Sequence, residues 1–289
     1  MTRLVHTRGD LASALANNSR VLIPTMGALH LGHKSLVESA KAYAANHDGA
    51  LVVMSIFVNP LQFQDSHDLE VYPRDLVTDS ALATEWGVDV IWAPSEADIY
   101  GGDAPVSQER LQTLLTGSQT ADILEGASRP GHFLGVLTAV SCLFDAVRPQ
   151  AACFGEKDFQ QLVLVRMLAS SLVPNVEILA VPTSRDEWGM ARSSRLGRLD
   201  EGGLSKARVI PTALAAGVEA ARDGSNAAGV KAAVLGELDA KPAVRPEYVE
   251  VVDDACLPIN AVGPARIVLA AQVDGVRIID NQPIDLKAI

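Results

Sequence analysis

Short runs of β-branched and aliphatic residues alternate, from the N-terminus to about Thr183, with longer segments whose apolar side chains recur at helical spacing. A parallel sheet covered by helices has this texture, because each strand is buried on both faces and must be joined to the next by a crossover. Residues 21–23 read as the first strand, 51–58 as the second, 88–92 as the third, 151–154 as another and 176–181 as the last. Between them, residues 33–45 place Leu36, Ala40 and Ala44 at spacings of four, and 76–86 and 133–147 share the helical period. The fold class expected is therefore α/β.

Residues 93–131 mix Pro, Gly, Ser, Asp and Gln with short apolar patches, and they read as an irregular insertion near a site. After Thr183 the texture changes. A polar and basic stretch at 185–198 precedes two helical segments, 204–221 and 227–238, and strand-like runs at 248–252, 266–273 and 276–279. The expected organisation is a first domain over 1–183 and a small C-terminal α+β domain over 184–289.

Composition narrows the function classes. The chain has 289 residues, enough for about two domains, and 35 acidic against 24 basic side chains give a net charge of −11. Such a field repels phosphate backbones, so nucleic acid is not expected as a partner. No apolar run approaches the roughly 20 residues of a membrane span, and Met1-Thr2-Arg3-Leu4-Val5-His6 lacks a signal-peptide run. A cytoplasmic protein without a membrane partner is expected. Cys142, Cys153 and Cys256 are widely spaced in apolar surroundings and read as buried, reduced thiols. No Cys-x-x-Cys or His-Glu-x-x-His spacing suggests zinc.

Three clusters carry chemistry. Pro24-Thr25-Met26-Gly27-Ala28-Leu29-His30-Leu31-Gly32-His33 follows the first expected strand and opens a helix. Its glycines allow close approach to a phosphate, and the helix N-terminus offers N–H groups and partial positive charge. Two imidazoles three residues apart can then face one ligand. The plain alternative is a turn glycine with two surface histidines. The second cluster, Phe154-Gly155-Glu156-Lys157-Asp158-Phe159-Gln160-Gln161, also follows a strand; a helix beginning near Lys157 would set Lys157 and Gln161 on one face. Otherwise Lys157 is a solvated residue at a helix start. The third, Ser193-Ser194-Arg195, lies between Arg192 and Arg198 and suits a closing phosphate clamp, or else is a solvated basic linker.

With these residues in order, the chain resembles the pantothenate synthetase family from about Val21 to Leu199. The resemblance rests on Pro-Thr-Met-Gly-Ala-Leu-His-x-Gly-His at 24–33, Ser-Ile-Phe-Val-Asn-Pro-x-Gln-Phe at 55–63, Tyr-Pro-Arg at 72–74 and Phe-Gly-Glu-Lys-Asp at 154–158, with Arg129-Pro130 and His132-Phe133. It implies a Rossmann-like parallel sheet with helices on both faces, of the nucleotidyltransferase and class I aminoacyl-tRNA synthetase superfamily, with a small C-terminal lid domain and a homodimeric state. It implies ATP and Mg²⁺, with pantoate and β-alanine as the other substrates. By motif position His30, His33, Lys157, Ser193, Ser194 and Arg195 would handle the ATP phosphates. Pro24, Thr25, Met26, Gly32, Gly155, Asp158 and Val181 would complete the nucleotide site. Met26, Gln62 and Gln161 would hold pantoate, Asn59, Arg129 and His132 would line the cavity, and Asp79 matches a position linked to magnesium.

The implied reaction is an in-line attack of pantoate's carboxylate on the α-phosphorus, then aminolysis of the acyl-adenylate by β-alanine. Cationic and N–H donors are what such a step needs, and no protein nucleophile is required. The chain departs from the family pattern where Met-Ser-Ser-Arg-Asn becomes Arg192-Ser193-Ser194-Arg195-Leu196, and where Phe159 replaces a common Tyr. Two other readings are an adenylyltransferase that leaves AMP in its product and a nucleotide-binding regulator without turnover. A tRNA-charging role would need an anticodon-binding domain and a basic surface.

Overall fold

The computed structural model describes residues 1–16, 18–63, 66–259 and 261–287, the side chains of 66 and 67 apart. These form two compact units, Met1–Glu156 with Gln160–Pro182, and Lys157–Phe159 with the chain from Thr183 on.

The first unit is built on six parallel strands: β1 (Arg3–Val5), β2 (Arg20–Thr25), β3 (Leu51–Ile56), β4 (Val90–Trp92), β5 (Ala151–Gly155) and β6 (Glu177–Val181). They lie in the order β1-β4-β3-β2-β5-β6. Period-two alternation decides which side chain faces which layer. Leu22, Val53, Ala152 and Phe154 enter one core with the helices His132–Val147 and Phe159–Ser171. Val21, Ile23, Val52, Met54, Ala151 and Cys153 enter the other with the helices Leu31–Ala45 and Leu76–Trp86. Helices thus cover both faces, as a Rossmann-like sheet requires. Each large aliphatic side chain buried there contributes about 1.5–3 kcal/mol relative to exposure.

The three cysteines are buried free thiols. Burial pushes Cys153 and Cys256 up to about 12, so neither supplies a thiolate at neutral pH.

Several elements differ from the sequence reading. Strand β1 has no counterpart in it, since Arg3, Leu4 and Val5 form a short, largely exposed edge strand without the buried apolar run that marks β4. Residues 93–131 are not irregular but carry short helices at Glu96–Tyr100, Gln108–Ser118 and Glu125–Ser128, and a 3₁₀ turn at Thr120–Asp122. Helices this short show little periodicity, but Ser95 caps the first in a box with Asp98, and Ser107 caps the second. The helix of the second cluster begins at Phe159, with Glu156–Asp158 forming a 3₁₀ turn, so Lys157 and Gln161 do not share an α-helical face.

The second unit carries the helices Glu201–Ala207, Val209–Arg222 and Ala227–Asp239 and an antiparallel sheet of β7 (Val244–Val252), β8 (Gly263–Val273) and β9 (Val276–Leu286), in that order. The helix expected over 204–221 is broken before Val209, because Pro211 lacks an N–H and is tolerated only in a first turn. Strand β7 starts four residues earlier than expected and carries Pro246 beside a register shift, which an edge strand permits. Strand β9 runs past Ile279 through the polar Asp280, Asn281 and Gln282.

Candidate active site

In an open parallel sheet, ligands bind beyond the carboxyl ends of the strands where the strand order reverses. Here that point lies between β2 and β5, which pair through Val21↔Ala151 and Leu22↔Ala152. The first cluster leaves the end of β2, and the second leaves the end of β5. Pro24 and Thr25 end β2, while Gly155 pairs with Val181 at the ends of β5 and β6.

The turn after β2 is held tightly. Thr25 donates its hydroxyl to Ser55 O at 2.7 Å and accepts from Gly27 N at 3.3 Å. Gly27 and Ala28 adopt φ of 79° and 51° in succession. For Ala28 this left-handed geometry costs about 1–2 kcal/mol. Asp79 offsets that cost: its two oxygens accept from Ala28 N at 2.9 Å and Leu29 N at 2.8 Å. Glycine is required at 27 on both counts, since a Cβ there would stand 2.7 Å from an Asp79 oxygen.

His30 caps the helix that follows, accepting from Gly32 N through Nδ1 at 3.1 Å, while His33 Nδ1 accepts from His30 N at 3.2 Å. With Nδ1 accepting on both rings, the neutral tautomer carries its proton on Nε2 in each. The rings lie 4.2 Å apart, so the helix start presents two imidazole donors together.

A second group surrounds Gln62. Asn59, only 2% exposed, caps the 3₁₀ turn Pro60–Gln62 through Oδ1, and its Nδ2 donates to Gln62 Oε1 at 3.2 Å and Gly135 O at 3.1 Å. The Gln62 carbonyl accepts from Arg129 Nη2 at 3.1 Å and His132 Nδ1 at 2.9 Å. Arg129 Nη1 lies 3.2 Å from His132 Nε2, and a guanidinium only donates, so His132 carries its proton on Nδ1. Gln62 Nε2 is left beside Met26 Sδ at 2.7 Å. A thioether is a weak acceptor, so this amide keeps its donor capacity for a ligand. Asn59, Arg129 and His132 thus support Gln62.

Two residues without a role in the sequence reading complete this group. Tyr100 donates its hydroxyl to Asn59 Oδ1 at 2.6 Å; burial raises its pKa well above the usual tyrosine range and keeps it a donor. Gln160, 5% exposed, donates to Thr120 O and Ile123 O and accepts from Glu125 N, fastening the segment that leads to Arg129. Its neighbour Gln161 is half-buried in the first turn of Phe159–Ser171.

The remaining predicted residues belong to the second unit. Lys157 has its side chain 16% exposed, with Nζ 3.7 Å from Asp158 Oδ1. Ser193 caps the 3₁₀ turn Ser194–Arg198, its Oγ accepting from Arg195 N at 3.2 Å, and Arg192, Ser194 and Arg195 are half-buried.

A parallel sheet whose switch point carries a His-x-Gly-His helix start, with the Gln62 amide fixed nearby, has the arrangement with which nucleotide-using enzymes receive phosphates at a helix N-terminus. Comparison with known proteins specifies it. The Pantoate-beta-alanine ligase family profile matches residues 3–283, and the chain belongs to that family. It is 43% identical over 281 residues to a pantothenate synthetase of Mycobacterium sp. (strain KMS), covering 96% of this chain and 86% of that one. A crystal structure of pantothenate synthetase from Thermus thermophilus superposes with a TM-score of 0.86 at 41% identity, over 97% of this chain and 99% of that one. A pantoate-beta-alanine ligase from Francisella tularensis, complexed with β-γ ATP and β-alanine, gives a TM-score of 0.75 at 30% identity, over 98% and 97%. The reaction is the ATP-dependent condensation of pantoate with β-alanine to pantothenate, AMP and pyrophosphate, through a pantoyl-adenylate.

Proposed function

We propose that the two groups of the first unit divide the substrates, the His30–His33 helix start taking the ATP phosphates and Met26, Gln62 and Gln161 taking pantoate. The observation that carries this is the Gln62 side-chain amide, whose Oε1 accepts from Asn59 while Arg129 and His132 hold the backbone carbonyl of the same residue, with Nε2 left to donate. A neutral amide binds a carboxylate or hydroxyl without adding charge to the nucleophile. Lys157, Ser193, Ser194 and Arg195 supply the further donors to the phosphates, and Pro24, Thr25, Gly32, Gly155, Asp158 and Val181 complete the nucleotide site.

In the first half-reaction a carboxylate oxygen attacks the α-phosphorus, and the bond to pyrophosphate breaks as charge moves onto the leaving group. Donors preorganised toward that charge lower the barrier. In the second, the neutral amine of β-alanine attacks the acyl carbon, AMP departs, and the amine loses a proton. Magnesium enters with ATP, as the counter-ion of its phosphates. Asp79, the position linked to magnesium, has both oxygens engaged by backbone N–H groups and serves in this reading as the clamp of the phosphate-binding turn. Among the described residues no helix is long and apolar enough to cross a membrane. The cytoplasmic location read from the sequence is supported by membership of a biosynthetic ligase family that acts on small-molecule substrates. That resemblance and the edge position of β6, where Ile178, Leu179 and Ala180 are half-buried, support a homodimer.

Exchange of labelled pyrophosphate into ATP is expected to require pantoate and not β-alanine. Exchange without pantoate, or only with the amine, would refute the proposed order. A second expectation concerns Arg192. The Ser193 cap on Arg195 N does not use its guanidinium, and Ser193, Ser194 and Arg195 remain to close on the phosphates. Arg192→Met should therefore change kcat/KM for ATP by less than about threefold, whereas a charge-assisted contact to phosphate would make the loss about tenfold or more. Steady-state kinetics with ATP varied at saturating pantoate and β-alanine decide between the two.

A further inference from the structure

The polar extension of β9 has no counterpart in the roles given so far. Asp280 and Asn281 are each 3% exposed, and they face opposite sides of the strand. Asp280 receives Arg185 in a bidentate pair, Nη1 at 2.8 Å and Nη2 at 2.9 Å, and Arg185 Nη2 also donates to Asn281 O at 2.9 Å. Arg185 begins a tight hairpin: it bridges to Ala191, Asp186 N donates to Met190 O, and Arg192 N donates to Ser184 O. The chain leaves this hairpin directly into Ser193, Ser194 and Arg195.

On the other side, Asn281 Nδ2 donates to the Lys157 carbonyl at 2.9 Å, and Asn281 Oδ1 accepts from Arg266 Nη1 at 2.6 Å. Arg266 in turn lies 4.4 Å over the ring of Phe159, two residues beyond Lys157. These contacts explain why residues 157–159 belong to the second unit although the chain on either side belongs to the first.

We propose that Asp280 and Asn281 are positioning residues for adenylate formation, fixing Lys157 and the hairpin that leads into residues 193–195 from one point on β9. The inference rests on the phosphate-binding role given to Lys157 above. Asn281 acts through the Lys157 backbone, and an Asn is needed because it donates to Lys157 while accepting from Arg266. A displacement of about 1 Å in a group that meets developing charge can cost up to about 100-fold in rate.

The test is Asn281→Asp, which still accepts from Arg266 but cannot donate to the Lys157 carbonyl. Pantoate-dependent pyrophosphate exchange is expected to fall about tenfold or more, with KM for pantoate within about twofold, and Tm to fall by a few degrees because a buried carboxylate oxygen then faces the Lys157 carbonyl. Added to Lys157→Ala, the same change should cost less than about a further twofold, because both act on one side chain. Unchanged exchange in Asn281→Asp, or a loss that multiplies in the double variant, overturns the proposal. Should Asn281→Asp not fold, Asn281→Ala is read by the same double-variant comparison. Normal exchange in Lys157→Ala would instead remove the role of Lys157 itself, and so separates failure of that reading from failure of this one.

Discussion

Replacing Lys157 with alanine is expected to lower kcat about 100-fold or more while changing KM for ATP much less. The ammonium-bearing side chain is 16% exposed and follows β5 by two residues, in the loop that leaves the sheet where the strand order reverses. Its ionic neighbour, Asp158 Oδ1, stands 3.7 Å away, longer than a charge-assisted hydrogen bond, so the two do not form a tight pair. In the proposed site this cation meets the charge that gathers as pyrophosphate leaves, and donors in that role are worth about 10²–10³ in kcat. His33→Ala should give a loss of the same order, since the bond from His30 N to Nδ1 places the proton of the neutral ring on Nε2 as a donor. The measurement is steady-state kinetics with circular dichroism as the control for folding. A change confined to KM would mean that both residues bind ATP in the ground state alone.

Asp79→Asn is expected to be nearly as damaging, for a different reason. Asp79 is 3% exposed and each of its oxygens receives a backbone N–H, from Ala28 and from Leu29. An Asn offers one acceptor and turns an NH₂ group toward the other amide. One buried N–H then has no acceptor and faces another donor, at a cost of about 1–3 kcal/mol. For a unit of this size, a fall in Tm of roughly 2–4 °C per kcal/mol follows. The turn held by Asp79 opens the helix with His30 and His33, so kcat/KM for ATP should also drop at least about tenfold. Thermal melts and kinetics across a magnesium titration are decisive. Recovery of activity at high Mg²⁺ with an unchanged Tm would make Asp79 a metal ligand, as the family resemblance implies, and would end the clamp reading.

The three clusters are legible because they sit where local sequence writes its own geometry. Gly27 in a positive-φ turn, His30 at a helix cap and Ser193 at a 3₁₀ cap each leave a signal within a few residues. The roles of Tyr100, Gln160, Arg185 and Asn281 leave none. Their partners lie 41, 40, 95 and 124 residues away in Asn59, Thr120, Asp280 and Lys157, and a polar side chain reads in sequence as solvated until the packing around it is known. Asn59 and Asp79 show the same effect in reverse. Both stand out by position, and the packing adds contacts that the sequence does not show: Asp79 receives the Ala28 and Leu29 N–H groups, and Asn59 receives Leu61 N and donates to Gly135 O.

Five of the six parallel strands, the crossovers between them and the order of the three clusters can be read from the chain without its coordinates, since period-two and helical patterns are local and need no knowledge of neighbours. Folding in three dimensions adds that Asn59 and Asp79 are engaged as supports, that Lys157 is tied to the C-terminal sheet, and that a polar run at 280–282 continues β9. Those outcomes depend on which buried donor meets which acceptor across tens of residues, and hydrogen-bond satisfaction in the interior is a property of the packed chain.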